Sequence, residues 1–186
     1  MSDNKSRLQK FYEQKVAAKL IEDLGLKNKM AVPKLTKVTL NVGLKQGLKD
    51  PKFVDAAERT LTRISGQKPV KTLAKKSISN FKIRQGMVVG MMVTLRGRRM
   101  FDFLDKFINI TLPRVRDFRG LSPKSVDARG NMSIGFREFV AFPEIRPEDT
   151  DTMHGLEVTI VTTAGTRENG AMLLKAMGIP FRDTDK

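Results

Sequence analysis

Residues 75–100 read KKSISNFKIRQGMVVGMMVTLRGRRM, a basic loop followed by a nearly charge-free run that stops at a second basic cluster. The run has the two-residue period of a β-strand, with one face at Val89, Met91, Val93 and Leu95 and the other at Val88, Gly90, Met92 and Thr94. It predicts a strand over residues 87–96. Glycines beside positive charge suggest a phosphate cradle, either for a nucleotide that is turned over or for a nucleic-acid backbone that is held.

A second alternating stretch, KLTKVTLNVG at residues 34–43, predicts a half-buried strand. Its apolar face carries Val38, Leu40 and Val42, and its polar face carries Lys37, Thr39 and Asn41. If Thr94 lies on the side of that polar face, the sheet offers a polar surface on which Gly90 leaves room for a ligand backbone. Half-buried strands also expose polar residues for solubility alone, so the alternation leaves both interpretations open.

Apolar residues at three- and four-residue steps predict helices at about 8–24, 50–66, 99–112 and 166–177. Short strands are predicted within GQKPVKTLA, NMSIGF and LEVTIVTTA. The order α β α β β α β β α has no alternating βαβ series. It therefore predicts an α+β fold with a largely antiparallel sheet, helices packed on one face, and an opposite face that is polar and RNA-binding. We expect a single RNA-binding domain over residues 1–186, with a less regular segment at about 113–155.

The charge balance points to a polyanionic partner. Thirty-five Lys and Arg residues against twenty Asp and Glu residues give a net charge of +15, which exceeds what solubility requires. A merely soluble basic protein and a protein on an anionic membrane surface are the alternatives. The longest apolar run is shorter than the roughly 20 residues of a membrane span, and the first residues lack the apolar segment of a secretory signal. We expect a cytoplasmic protein without a membrane partner.

No catalytic motif is recognisable. The glycines fit neither the Walker spacing nor the G-x-G-x-x-G fingerprint of a dinucleotide site, and the lack of cysteine excludes thiolate zinc sites and cysteine nucleophiles. The only histidine, His154, is expected in an exposed loop. The acidic residues Glu148, Asp149 and Asp151 lack the ligand spacing of a calcium loop. We therefore predict no enzyme activity, no cofactor and no metal site.

Basic residues flank both ends of the strand at 87–96 and are candidates for phosphate contacts, namely Lys75, Lys76, Lys82, Arg84, Arg96, Arg98 and Arg99. Because the strands lack stacking aromatics, we expect hydrogen bonds to RNA backbone, 2′-hydroxyl groups and a few bases. Of Ile78 and Phe81 in the basic loop, we expect one to anchor the loop and the other to be exposed. Arg114, Arg116 and Arg119 form either a solvated charge run or a second contact patch.

The chain contains, in this order, VTLNVG, GQKPVKTLAKKSI, FKIRQGMVVG, VTLRGRRMFDFLDKF, LPRVRDFRG, RGN, FPEI and VTIVTTA. Together with MGIPF near the end, these blocks resemble the large-subunit ribosomal protein L-five family in its bacterial form. The resemblance covers nearly the whole chain, and the number of ordered blocks makes it specific.

The resemblance implies a structural constituent of the large ribosomal subunit that binds 5S ribosomal RNA and helps attach it in the central protuberance. It also implies contacts with large-subunit ribosomal RNA, with P-site transfer RNA and with other 5S-binding proteins of the central protuberance. An intersubunit bridge with small-subunit protein S-thirteen completes the expected set of partners.

The family's 5S-contacting positions fall on Lys37, Asn41, Gln67 and Thr94 of this sequence. To these we add Thr39, from its place on the polar face, and the phosphate candidates Arg96, Arg98 and Arg99. The loop that faces transfer RNA in the family matches Lys75, Lys76, Ser77, Ser79, Asn80, Lys82 and Arg84. The bridge matches the region of Arg114, Arg116 and Arg119 more loosely.

The chain departs from the family pattern at several places. Ser79-Asn80 replaces a small Ala-Gly pair at the loop tip, so we expect an altered contact with transfer RNA. GLKQGLKD carries extra lysines after the first strand, and VDARGN and FREFVAFPEI also differ from the usual sequence of the family. A nonspecific RNA binder or chaperone outside the ribosome is the second hypothesis, and an enzyme of phosphate chemistry is the third.

Overall fold

The computed structural model describes residues 5–44, 51–137, 139–145 and 153–182. Its α-helices are α1 (Arg7–Phe11), α2 (Ala17–Asp23), α3 (Pro51–Ser65), α4 (Gly97–Lys106) and α5 (Arg167–Ala176). Its strands are β1 (Leu35–Gly43), β2 (Val70–Leu73), β3 (Val88–Leu95), β4 (Met132–Phe136) and β5 (Leu156–Thr162). Single 3-10 turns lie at Lys29–Ala31, Ser79–Phe81, Leu112–Arg114, Pro123–Ser125 and Phe139–Ala141. The predicted α+β class is confirmed.

The strands form a five-stranded sheet in the order β2-β3-β1-β5-β4. β2 and β3 pair antiparallel, with Val70 opposite Met92 and a bulge after Thr72. Antiparallel register continues on both sides of β1, where Leu44 N donates to Val89 O at 2.9 Å and Lys34 N donates to Thr163 Oγ1 at 3.0 Å. On β4 and β5, the hydroxyls of Ser133 and Thr159 lie 3.0 Å apart. The largely antiparallel sheet predicted from the order of elements is confirmed.

A π-helical turn at Tyr12–Val16 joins α1 to α2. Such a turn takes up an extra residue, so it shifts the apolar period that the sequence suggested. Leu8, Val16 and Leu20 are buried, while Phe11, which lies in α1 before the turn, is 38% exposed. The three-residue step from Leu8 to Phe11 predicts a buried Phe11, and that prediction is wrong. The Tyr12 hydroxyl donates to Pro33 O at 2.8 Å and fixes the turn.

The helix ends follow from local sequence chemistry. Thr166 caps α5 by accepting from Asn169 N at 3.3 Å, and Gly66 takes a left-handed φ of +68° directly after α3. Asp50, the expected cap of α3, lies outside the described residues. α4 begins at Gly97, slightly before the predicted start, and continues through a π-helical turn at Phe107–Thr111 and the 3-10 turn that contains Pro113.

The chain divides into two compact units, and β1, β3, β4 and β5 contribute residues to both. Unit 1 comprises residues 1–38, 95–134 and 159–186. Its core includes Leu8, Leu20, Met100, Phe107 and Leu173. Arg7 forms a two-point contact with the Asp105 carboxylate, and the carboxylate raises the pKa of the Arg7 guanidinium.

Unit 2 comprises residues 39–94 and 135–158. Leu40, Val42, Met91 and Val158 bury the inner side of its strands, and the helix α3 buries Ala57 and Leu61. Phe136 and Phe142 meet edge-on with ring centroids 5.9 Å apart. Lys71 on the edge strand β2 pairs with Glu58 of α3 at 3.0 Å.

His154 is buried in unit 2, so the expectation of an exposed loop histidine is wrong. Only 5% of its surface is exposed. Its ring stacks on Phe139 with centroids 4.3 Å apart and meets Phe53 of α3 edge-on at 6.1 Å. Burial lowers the pKa of the imidazole. The apolar partners come from distant parts of the sequence, which is why the local pattern DTMHGLE did not indicate them.

The segment predicted as least regular contains β4 and short 3-10 turns in its described part. Backbone hydrogen bonds hold Leu121 to the end of the described chain, through Pro180 O at 2.8 Å and Arg182 N at 2.8 Å. None of the helices in the described ranges has the length and apolar character needed to cross a bilayer.

Candidate nucleic-acid interface

The outer side of β1 and β3 in unit 2 carries polar residues. Leu40 and Val42 are fully buried, while Asn41 is exposed and Thr39 is half-buried. On β3, Met91 and Val93 are buried and Thr94 is half-buried. The pairing of Leu44 with Val89 sets Thr39 opposite Thr94 in the antiparallel ladder. The predicted alternation is confirmed, and it brings Thr39, Asn41 and Thr94 to one side of the sheet.

Gln67 is held against β3 by its own side chain. Its Nε2 donates to Thr94 O at 2.9 Å. The hydroxyl of Ser65, at the end of α3, lies 2.6 Å from Leu61 O and 3.0 Å from Gln67 O, so it can donate to either carbonyl, and it accepts from Gln67 N at 3.3 Å. The turn after α3 is thus tied to both elements, and it brings Gln67 to the polar end of β3.

Glu157 on β5 joins this surface, although the sequence analysis did not single it out. It is exposed between the buried residues Leu156 and Val158, and its Oε2 accepts from Asn41 Nδ2 at 3.4 Å. The signal was available, because LEVTIVT alternates and puts Glu157 on the polar side by parity. Glu157 is acidic, so the excess of positive charge in the sequence does not indicate it.

Gly90 does not leave an open space for a ligand backbone. The glycine is buried, and a Cβ built on it would lie 2.8 Å from Thr72 Oγ1 and 3.0 Å from Val42 O. The expectation that Gly90 makes room on the outer surface is therefore wrong. Its missing side chain instead accommodates Thr72 of the neighbouring strand.

The surface of unit 2 is also partly apolar. Val70 and Met92 stand opposite each other on β2 and β3 and are 63% and 38% exposed. Leu73, after the bulge, is 57% exposed. Exposed apolar groups beside Asn41 and Thr94 suit contact with the flat faces of unpaired bases better than contact with phosphate.

In unit 1, the candidate cations lie around the start of α4. Arg96, in extended conformation, precedes the helix, and Arg98 and Arg99 lie in its first turn. All three are exposed. Arg98 Nε lies 3.5 Å from Asp102 Oδ2, a pair one helical turn apart. On β1 of the same unit, Lys37 is half-buried.

Residues 75–86 form a hairpin between β2 and β3. Ile78 and Ile83 exchange backbone hydrogen bonds of 2.9 and 3.2 Å, the 3-10 turn Ser79–Phe81 makes the tip, and Ser77 Oγ accepts from Gln85 N at 2.9 Å. The predicted loop residues are all exposed, namely Lys75, Lys76, Ser77, Ser79, Asn80, Lys82 and Arg84.

Neither Ile78 nor Phe81 anchors the hairpin in the core. Ile78 is 45% exposed and Phe81 is 61% exposed. The expectation that one of them would be buried is wrong, because backbone hydrogen bonds rather than apolar burial hold the hairpin together. The tip therefore combines exposed apolar and basic side chains.

Three arginines near the end of α4 and its helical continuation are exposed. They are Arg114, Arg116 and Arg119. Asp117 between them has a left-handed φ of +52°. Among the described residues, no group of three or more metal-ligating side chains comes together. The acidic residues Glu148, Asp149 and Asp151 lie outside the described ranges.

Comparison with known proteins gives matches along nearly the whole chain. Residues 28–84 match the family described as Ribosomal protein L5, and residues 88–181 match the ribosomal L5 family C-terminus. Three similar proteins carry the name Large ribosomal subunit protein uL5. The one from Herpetosiphon aurantiacus is 56% identical over 178 residues, covering 96% of this chain and 99% of the relative.

The second, from Carboxydothermus hydrogenoformans, is 55% identical over 175 residues and covers 94% of this chain and 98% of the relative. The third, from Cupriavidus taiwanensis, is 53% identical over 178 residues, with 96% and 99% covered. Identity at this level over nearly the full length indicates a shared fold.

Proposed function

Because the chain belongs to the ribosomal protein L5 family, we propose that it binds 5S ribosomal RNA and helps attach it in the central protuberance. The membership makes the chain a structural constituent of the large ribosomal subunit, located on the ribosome in the cytoplasm. The family is one of structural proteins, so the enzyme hypotheses are excluded.

The observation that carries the proposal is the polar side of β1 and β3. Thr39, Asn41 and Thr94 lie on that side, and the Gln67 amide is hydrogen-bonded to the backbone of Thr94. Amide and hydroxyl groups donate and accept, so they match 2′-hydroxyl groups and base edges. Lys37, Arg96, Arg98 and Arg99 are the proposed phosphate contacts of unit 1.

The hairpin at residues 75–86 is the proposed contact with P-site transfer RNA. Its support is the exposure of its basic and polar side chains, from Lys75 to Arg84. Ser79 and Asn80 form the tip with Phe81. We expect their polar groups to hydrogen-bond to the transfer RNA backbone, where the family's smaller residues would leave space.

Arg114, Arg116 and Arg119 form the proposed patch for large-subunit ribosomal RNA or for the bridge with small-subunit protein S-thirteen. Their exposure and like charge suit either an RNA backbone or an acidic protein surface. Other 5S-binding proteins of the central protuberance are the remaining proposed partners. We further propose that residues 1–186 act as a single RNA-binding domain.

Substitution of the polar side tests the proposal. Asn41→Ala and Thr94→Ala should each weaken binding to 5S ribosomal RNA by roughly 5- to 100-fold at fixed salt, since each removes hydrogen bonds to RNA. Lys76→Ala, a single cation of the hairpin, is the matched control and should have a smaller effect. Titrations at several salt concentrations should show that the wild type loses affinity steeply as salt is added. The slope of log affinity against log salt concentration should be the same for Asn41→Ala as for the wild type. Unchanged 5S affinity in both polar variants, with their folding intact, would refute the proposal.

A further inference from the structure

Glu157 places a negative charge on the surface proposed for RNA. The chain carries a net charge of +15, and a carboxylate facing RNA repels phosphate. Glu157 is exposed on the outer side of β5, and Asn41 donates to its Oε2 at 3.4 Å. Among the described residues, no cation lies within ion-pair distance of this carboxylate. A charge so placed disfavours phosphate at this point and favours a ligand that donates hydrogen bonds.

The hydrogen bond between Asn41 and Glu157 determines which ligand groups the two side chains can bind. An ionised carboxylate only accepts, so the Asn41 amide must turn its NH₂ group toward Glu157. That orientation leaves Asn41 Oδ1 and Glu157 Oε1 as acceptors, since no other described residue donates to either side chain. The pair therefore matches a ligand edge rich in N–H donors.

The surroundings leave room for a flat ligand. The Ser133–Thr159 contact joins β4 to β5, and Gly135, two residues along β4, lies near Glu157, two residues back along the antiparallel strand β5. A Cβ on Gly135 would meet nothing within 4 Å, and the same is true of Gly43, which follows Asn41 on the same side of β1. Glu157 and Asn41 are thus flanked by two glycines, Gly135 and Gly43, which have no side chains to block a ligand.

We propose that Glu157 and Asn41 form a base-reading pair that accepts hydrogen bonds from the Watson–Crick edge of an unpaired guanine. Guanine presents N1–H and N2–H donors side by side, and these match the two acceptors that the pair leaves, Asn41 Oδ1 and Glu157 Oε1. Adenine and cytosine each offer a single amino group on that edge. Unpaired bases are the usual targets of sequence-specific RNA recognition. The inference rests on the proposed binding of 5S ribosomal RNA and adds Glu157 as a residue that determines specificity.

Glu157→Gln separates base reading from a simple charge effect. The variant keeps an oxygen that can accept from Asn41, so the fold should be retained. If Glu157 only repels phosphate, removing its charge should tighten binding to every RNA. If it reads guanine, the new NH₂ group opposes the base donors, and affinity for 5S ribosomal RNA should fall roughly 5- to 150-fold. Affinity for a scrambled RNA of equal length should rise slightly or stay the same.

Glu22→Gln is the control, because it changes the net charge equally at an exposed site on α2. Inosine, which lacks the guanine amino group, identifies the base. Replacing one unpaired guanosine of 5S ribosomal RNA at a time should weaken wild-type binding at one position, and Glu157→Gln should be insensitive there.

The outcomes are distinct. Weaker 5S binding by Glu157→Gln, with scrambled RNA unaffected, supports the base-reading pair. Equal or tighter 5S binding by the variant, while the wild type still prefers 5S over scrambled RNA, overturns it and leaves the proposed function standing. If the wild type binds both RNAs equally, the proposed function is overturned, and the base-reading pair falls with it.

Discussion

His154 illustrates how a single residue can depend on tertiary contacts. Its ring fills the space between Phe139 and Phe53, and its Nε2 is buried without a hydrogen-bond partner among the described residues. Burial disfavours the charged imidazolium and lowers the pKa below its ordinary value. In the unfolded chain the histidine titrates near pH 6.5. Below that pH the unfolded chain therefore binds more protons than the folded chain. Acidification should therefore destabilise the fold through this residue.

His154→Phe should remove this dependence, because phenylalanine keeps the stacked ring and has no titrating nitrogen. Near pH 8 the variant should be as stable as the wild type or more stable, since an unsatisfied buried group costs about 1–3 kcal/mol. Below about pH 6.5 its advantage should grow, at most by about 1.4 kcal/mol per pH unit. Urea unfolding at a series of pH values measures both quantities. An advantage that does not grow on acidification would contradict the assigned burial.

At the scale of elements, Gly90 lies where three strands pack closely together. It lies on β3, faces Thr72 of β2, and approaches the Val42 carbonyl of β1. Gly90→Ala should destabilise the protein by about 1–3 kcal/mol, because the added methyl overfills this contact. Thr72→Ala in the same chain should recover part of that loss, because it removes the nearest atom. Chemical denaturation of the single and double variants measures the coupling, and additive effects would contradict the contact.

The elements differ in how well local sequence predicts them. The two-residue period of β1 and β3 assigns Thr39, Asn41 and Thr94 to the outer side, because strand parity depends only on neighbouring residues. The helix ends at Gly66 and Thr166 were equally predictable from capping chemistry. The π-helical turn at Tyr12–Val16 was not, since its extra residue leaves no mark in the sequence. The exposure of Phe81 also depends on how a whole hairpin folds.

At the scale of the whole molecule, the net positive charge and the proposed recognition surface have different roles. The excess of 35 basic over 20 acidic residues supplies long-range attraction to any polyanion. The polar side of β1 and β3 instead offers amides, hydroxyls and the Glu157 carboxylate. The net charge predicted a polyanionic partner, and the family membership identifies that polyanion as ribosomal RNA. The contact between Glu157 and Asn41 depends on the register of β5 against β1, which composition does not contain.

The central claim, that this side of the sheet binds 5S ribosomal RNA, is tested most directly by methionine oxidation. Met92 projects from the outer side of β3 and is 38% exposed, and Met153 is 45% exposed beside His154, which packs on α3. Each site can be followed by mass spectrometry during mild peroxide treatment, with and without saturating 5S ribosomal RNA. The account predicts that the RNA protects Met92 and leaves Met153 reacting as before. Equal oxidation of Met92 in the free and bound protein would contradict it.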